Sequence, residues 1–317
     1  MSACIILAAG QGKRMRSPLP KVAHPVLGVP MILRVVRQAR AAGLDGPVVV
    51  IGCGREAVRP LLESEGVPWV VQEEQLGTAH AVSCALPEVD SDGVVVLLGD
   101  VPLLGPATIT RLEAGRREAQ AGIAVLTAVP PDPSGYGRMI VEDGVLQRIV
   151  EERDATPAER AVREINTGLM AFDGRLLPSL LASITPDNDQ GEYYLTDAVA
   201  AARSRGVHCI AVPAPDWREV AGVNDRVQLA EATARLREAV VRDLLIAGTG
   251  MPDPGSVWIE ETVAVGGGVE IGRGCRLSGA TVVGDGCRLG DGCIVVNSVL
   301  APGTVLAPYT VIGGSGG

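Results

Sequence analysis

The stretch Leu7–Lys21, LAAGQGKRMRSPLPK, directly follows the start of the apolar run CIILA (residues 4–8) and decides how the first half of the chain is read. A short buried strand enters a loop of small residues with Gly10 and Gly12, then a basic pair, Lys13 and Arg14. The spacing is not the G-x-x-x-x-G-K-[ST] of a P-loop. Nor is it G-x-G-x-x-G, because Met15 stands where the third glycine belongs. Small residues let backbone N–H groups close on an anion, Arg14 offers a planar fork to phosphate oxygens, and Lys21 offers a compact charge. Pro18 and Pro20 stiffen SPLPK and hold Lys21 in place. Lys13 and Lys21 are the only lysines of the chain, and arginine supplies the rest of its 28 lysine and arginine residues.

Outward from this loop, apolar runs alternate with helical patterns. PMILRVVRQARAAG (30–43) predicts a helix with Pro30 near its first position and Gly43 past its end. PVVVIG (47–52), PWVVQ (68–72) and GVVVLLGD (93–100) predict strands, separated by helices near 55–65, 77–86 and 105–121. The alternation predicts an α/β domain over residues 1–224 with a Rossmann-like, mostly parallel sheet covered on both faces. Ligands of such sheets lie beyond the carboxyl ends of the strands, so function is expected in loops 8–21, 73–80 and 99–104. DRVQLAEATARLREAVVRDLLI (225–246) predicts a long helix with Asp225 as N-cap, an arm within residues 225–250.

After residue 250 a six-residue period appears. Ile259, Val265, Ile271, Leu277, Val283, Leu289 and Val295 recur at that spacing. Two residues earlier in each unit, positions 257 to 311 in steps of six read Val, Val, Val, Cys, Thr, Cys, Cys, Val, Val, Val, a small buried register. This predicts a parallel β-helix of about three coils over 251–312, with Cys275, Cys287 and Cys293 as packing residues. GGSGG (313–317) is expected to be a flexible tail.

Composition bounds the function. The chain is 47% hydrophobic, enough to fill sizeable cores, and carries a net charge of −9, which argues against binding nucleic acid. Residues 1–44 nevertheless contain no Asp or Glu, and a basic site in an acidic protein suits a small anion. Arg34, Arg37 and Arg40 are expected on a solvated helix face. The absence of a run of about 18 uncharged apolar residues predicts no membrane span, and the N-terminus lacks an export signal. Seven cysteines without a C-x-x-C pair predict free thiols in a reducing cytoplasm. The histidines, His24, His80 and His208, are too scattered for a zinc site. His208 is expected within a strand, and neither His24 nor His80 is expected to be catalytic.

LAAGQGKRMRSPLPK resembles the signature L-[AG]-G-x-G-[ST]-R-[ML]…P-K of sugar-1-phosphate nucleotidyltransferases, with Lys13 where that pattern has Ser or Thr. QEEQLGTAHA (72–81), LLGDVPLL (97–104), DPSGYGRMI (132–140), IVEERDAT (149–156), EINTGLM (164–170), QGEYYLTD (190–197) and VAGVNDR (220–226) follow in order. This set is similar to the bacterial N-acetylglucosamine-1-phosphate uridylyltransferases, in which a left-handed β-helix with acetyltransferase activity follows the nucleotidyltransferase half. The resemblance covers the chain to about residue 312. It implies Mg²⁺-dependent conversion of UTP and N-acetylglucosamine-1-phosphate to UDP-N-acetylglucosamine and pyrophosphate, for cell-envelope precursor synthesis. It also implies a homotrimer through a left-handed β-helix. No acetyl transfer is expected, because the family builds that site between subunits on coils beyond the point where this chain stops.

The resemblance implies a site residue by residue. Leu7, Ala8, Ala9 and Gly10, with Leu98 and Gly99, would line the nucleotide. Gln72 would hydrogen-bond the uracil edge through both amide groups, and Gly77 and Thr78 would let backbone approach the base. Asp100 and Asn224 would hold Mg²⁺, and Arg14 and Lys21 would neutralise phosphate charge. Gly137, Glu151 and Asn166 would read the sugar, supported by Tyr136 and Glu192. Lys13 would stand beside the site, off the family's contact positions. Two alternatives stay open: nucleotidyl transfer to a different sugar-1-phosphate, or an inactive scaffold paralogue. The latter predicts erosion at Lys21, Asp100 or Asn224, and all three are present.

Overall fold

The computed structural model describes residues 2–142 and 144–313, so the expected tail beyond Gly313 lies outside the described residues. The chain forms two compact units. One holds the residues up to His24 and Met31–Asp225; the other holds Pro25–Pro30 and the residues from Arg226 onward.

The first unit begins with β1 (Ala3–Ala8). The hairpin β2 (Pro25–Val26) and β3 (Val29–Pro30), which groups with the second unit, separates β1 from α1 (Met31–Ala41). Strands and helices then alternate: β4 (Asp45–Ile51), α2 (Arg55–Ser64), β5 (Trp69–Val71), α3 (Thr78–Ala85), β6 (Gly93–Leu98), α4 (Pro106–Glu118) and β7 (Ile123–Ala128). A hairpin, β8 (Arg138–Glu142) and β9 (Val145–Val150), precedes the short α5 (Pro157–Arg160) and the long β10 (Ile165–Asp173). α6 (Leu177–Leu181), α7 (Asp197–Ser204) and β11 (Cys209–Pro213) complete the unit.

The main path of the sheet runs β11-β7-β10-β6-β1-β4-β5. It is mostly parallel, as expected, with β10 antiparallel to both β6 and β7. Cys4, Ile5 and Ile6 of β1 are wholly buried, as a strand covered on both faces requires. Ile5, Val50, Val96, Val125 and Phe172 on one face meet apolar residues of α3, α6 and α7 in a single core. Gly43, with a φ of 76°, ends the first helix as its position predicts.

Arg34 is not on a solvated face: it is 5% exposed, because it lies in the inner stripe of α1 between Leu33 and Val35. Its Nε donates to the carbonyl of Pro102 at 3.0 Å, which satisfies a buried charged donor. Arg37 and Arg40 do lie outside, on Glu65. His208 is exposed and precedes β11 by one residue.

Besides the β2–β3 hairpin, the second unit holds the long helix α8 (Arg226–Ile246) and, among the described residues, ten further short strands. These are β12 (Trp258–Ile259), β13 (Ala264–Val265), β14 (Glu270–Ile271), β15 (Arg276–Ser278) and β16 (Val282–Val283), then β17 (Arg288–Leu289), β18 (Ile294–Val296), β19 (Val299–Leu300), β20 (Val305–Leu306) and β21 (Val311–Ile312). They stack in three parallel ladders, β12-β15-β18-β21, β13-β16-β19 and β14-β17-β20, which make a short parallel β-helix. Ile259, Leu277 and Val295 fill its axis. Cys275, Cys287 and Cys293 are fully buried, and their thiols donate to the carbonyls of Gly290, Ala301 and Ala307 at 3.2–3.3 Å. Burial pushes the Cys275 thiol up to about 11, in keeping with a packing residue.

The repeat does not keep its period to the end. Ala264 pairs with Val282, eighteen residues on, whereas Val282 pairs with Val299, seventeen on. The shortened turn, where Asn297 takes a φ of 47°, moves the register by one. Leu300, Leu306 and Ile312 therefore pack on the core, and Val299, Val305 and Val311, expected inside, are 63–75% exposed. Among the described residues no helix is long and apolar enough to cross a membrane.

Candidate functional site

The carboxyl ends of β1, β5 and β6 surround a cavity of about 550 Å³. Leu7, Ala8, Ala9 and Gly10 line it as β1 gives way to its loop, and Leu98 and Asp100 line it at the end of β6. Gly99 lies behind this lining: its N–H donates to the Leu7 carbonyl at 2.9 Å, and a Cβ there would stand 3.3 Å from that of Ala8. Lys13 and Lys21 also line the cavity, so Lys13 belongs to the wall.

Gln72, Gly77 and Thr78 close another side. Gly77 has a φ of 115°, and a Cβ there would come within 2.5 Å of the Tyr193 carbonyl. Only glycine allows that approach. The Thr78 hydroxyl accepts from the Leu195 N–H at 2.9 Å and anchors the same crossing. Gln72 is 4% exposed. Its Nε2 donates to the Gly77 carbonyl and to His80 Nδ1, each at 3.0 Å. Both N–H donors are spent within the protein, so one amide group, the oxygen, is left for a ligand where two were expected.

Lys21, Asp100 and Asn224 come from three distant parts of the chain and meet. The Lys21 ammonium forms an ion pair with Asp100 and donates to Asn224 Oδ1 at 3.1 Å. Both side chains of the ion pair are mostly covered, 15% and 17% exposed. Lys21 is held from behind by Gly12, whose left-handed backbone (φ 58°) leaves no room for a Cβ beside that of Lys21. The Val223 N–H donates to the Asp100 carbonyl at 2.8 Å and brings Asn224 alongside. A divalent cation fits this donor set. A carboxylate and a carboxamide oxygen converge on one positive charge, the ammonium, which stands where such a cation would. The set is sparse: among the described residues, no three His, Cys, Asp or Glu side chains gather to hold a metal. It suits an ion that keeps waters and takes phosphate oxygens.

Gly137, Glu151 and Asn166 form a cluster of their own. The Asn166 N–H donates to the Gly137 carbonyl at 2.8 Å, and a Cβ on Gly137 would lie 3.3 Å from Glu151 Oε1. Burial pushes the Glu151 carboxyl above the usual carboxylate range, against a hydrogen bond from the Thr196 hydroxyl; the Asp197 and Asp154 charges add to the upward shift. Asn166 Oδ1 accepts from the Gly168 N–H at 2.9 Å, and a Cβ on Gly168 would press on Leu98 of the cavity wall. Arg14, in a 3₁₀ turn over Lys13–Met15, is exposed and is not part of the lining. Its charge does reach Tyr136. Burial and then the Asp100 charge raise that phenol, while a backbone hydrogen bond at Gly222 and Arg14 oppose them. Glu192 lines the cavity.

Gln75 has no place in the expected site, yet it lines the cavity and its Nε2 donates to the Ala9 carbonyl at 2.9 Å, pinning the first loop. Its only signal in the sequence is its position inside QEEQLGTAHA.

Residues 4–201 match the MobA-like NTP transferase domain. The bifunctional protein GlmU of Pelobacter propionicus is 44% identical over 291 residues, which cover 90% of this chain and 63% of that protein. The protein of the same name from Brevibacillus brevis is 47% identical over 283 residues, 88% of this chain and 61% of its own. The chain thus spans about three fifths of the length of these curated relatives. A solved structure of UDP-glucose pyrophosphorylase complexed with UDP-glucose matches with a TM-score of 0.60 at 18% identity, covering 75% of this chain and 99% of that one. That likeness is one of fold.

Proposed function

We propose that this chain, which belongs to the MobA-like NTP transferase family, transfers the uridylyl group of UTP to N-acetylglucosamine-1-phosphate, giving UDP-N-acetylglucosamine for cell-envelope synthesis and releasing pyrophosphate. The observation that carries the reading is the convergence of Lys21, Asp100 and Asn224 beside a cavity lined by small residues and Gln72. The relatives at 44–47% identity support the choice of reaction.

An oxygen of the sugar phosphate attacks the α-phosphorus in line; the new P–O bond forms as the bond to the bridging oxygen of pyrophosphate breaks. The attacking oxygen is already ionised, so no general base is required, and His24 and His80 are assigned none. Catalysis rests on positioning and on neutralising charge. Leu7–Gly10, Leu98 and Gly99 shape the nucleotide side, with Gly77 and Thr78 opening the backbone to the base. Lys21 and Arg14 balance phosphate charge; Gly137, Glu151 and Asn166 read the sugar. Asp100 and Asn224 would hold Mg²⁺, which when bound offsets charge on the triphosphate. Pyrophosphate release from UTP with a panel of sugar-1-phosphates tests the reading. The largest kcat/KM is expected with N-acetylglucosamine-1-phosphate, and a clear preference for another sugar would replace it.

The β-helix is proposed to join three copies of the chain. Light scattering should give a concentration-dependent trimer, and a dimer at every concentration would refute it. The free cysteines support a reducing cytoplasm as the place of action. The relatives are called bifunctional and match over about 90% of this chain, which leans against the expectation that acetyl transfer is absent.

A further inference from the structure

Gln72 lines the cavity while 4% exposed, so the direction of its carboxamide decides what the cavity offers a base. Nε2 donates to the Gly77 carbonyl and to His80 Nδ1, both at 3.0 Å. For the second bond Nδ1 must accept, so His80 carries its proton on Nε2, on the side of Cys84 Sγ at 3.9 Å. Turning the amide over would set its oxygen against the Gly77 carbonyl and would require His80 to move its proton from Nε2, beside Cys84 Sγ, to Nδ1. As it stands, Oε1 has no hydrogen bond among the described residues.

We propose that His80 is a positioning residue: it fixes the Gln72 carboxamide with its oxygen toward the ligand and so selects a base that presents an N–H at that edge, uracil over cytosine. The inference rests on the reading of this cavity as a UTP site. Uracil N3–H donates to Oε1, whereas cytosine N3 is an acceptor and would face another lone pair. An amide free to rotate could meet cytosine N3 with its nitrogen. His80 removes that option without touching the reacting phosphates.

The test is kcat and KM for UTP and CTP, with N-acetylglucosamine-1-phosphate, in wild-type protein and in His80→Leu, His80→Ala and His80→Asn. Wild type should favour UTP. The Leu and Ala variants should lower the UTP:CTP ratio of kcat/KM about tenfold, since one hydrogen bond of two holding the amide is lost, and the change should lie in KM. His80→Asn, whose Oδ1 can accept in place of Nδ1, should restore most of the ratio. Equilibrium binding of the two nucleotides without sugar phosphate should shift in parallel. An unchanged ratio in a Leu or Ala variant with a wild-type thermal melt overturns the role of His80, as does an Asn variant as indiscriminate as Leu. A wild-type protein that does not prefer UTP overturns the uridylyl reading itself, before any variant is compared.

Discussion

Asp100→Ala should lower kcat/KM for UTP by about 100- to 10,000-fold, with the melting temperature within a few degrees of wild type. The two halves of this expectation have separate causes. Asp100 follows β6 in a turn and lines the cavity, so its side chain supports no core. Its ion pair with Lys21 is mostly covered, but both groups line the cavity, so the ammonium left behind is not sealed in a core. For the reaction, Asp100 is the charged member of the oxygen pair that would hold the cation, and without it Lys21 loses its counter-charge as well. Asn224→Ala should act in the same direction by a smaller factor, because a neutral oxygen is removed. Steady-state turnover in magnesium and a thermal melt check both variants. Near-wild-type turnover in either one would remove it from the metal site.

Lys21→Ala should lower kcat/KM for UTP about 30- to 1000-fold, and Lys13→Ala at most several-fold. Both lysines line the cavity, so position alone does not separate them. Burial does. Lys21 is 15% exposed and braced by Gly12 and Pro20, whereas Lys13 is exposed, where water screens its charge. Lys21→Arg should rescue only in part, since a guanidinium between Asp100 and Asn224 has a different reach and shape. Lys13→Ser, which restores the residue type of the family signature, should be tolerated. A Lys13→Ala variant more damaged than Lys21→Ala would reverse the assignment.

The first sheet was legible because its central strands are unbroken apolar runs punctuated by glycine and proline. β10 was not. EINTGLM reads as a motif, and its Asn, Thr and Gly hide a strand whose burial comes from β6 and β7 on either side. The β-helix was legible from its six-residue period, but the register of its last coil was not. VL, VL and VI sit side by side at 299–300, 305–306 and 311–312, so a one-residue deletion changes which member faces inward without changing the pattern. Arg34 carries its charge inside the apolar stripe of α1, where charge alone points outward and the helical period points inward. In the site, the meeting of Lys21, Asp100 and Asn224 could be expected only through resemblance, since no local spacing links residues so far apart. The bracing roles of His80 and Gln75 depend on distances that no sequence carries.

The confinement of both lysines to one wall has a practical side. Both lysines of this sequence line the same cavity. Reagents that acylate lysines, which decorate most proteins at random, meet both lysines of this sequence at this one mouth. Lys13 would take the label first, because Lys21 is engaged by Asp100. Coupling the protein to beads or dyes through its lysines is therefore a site-directed act, and tethering by the exposed thiol of Cys53, which is not part of the lining, is the route that leaves the cavity open.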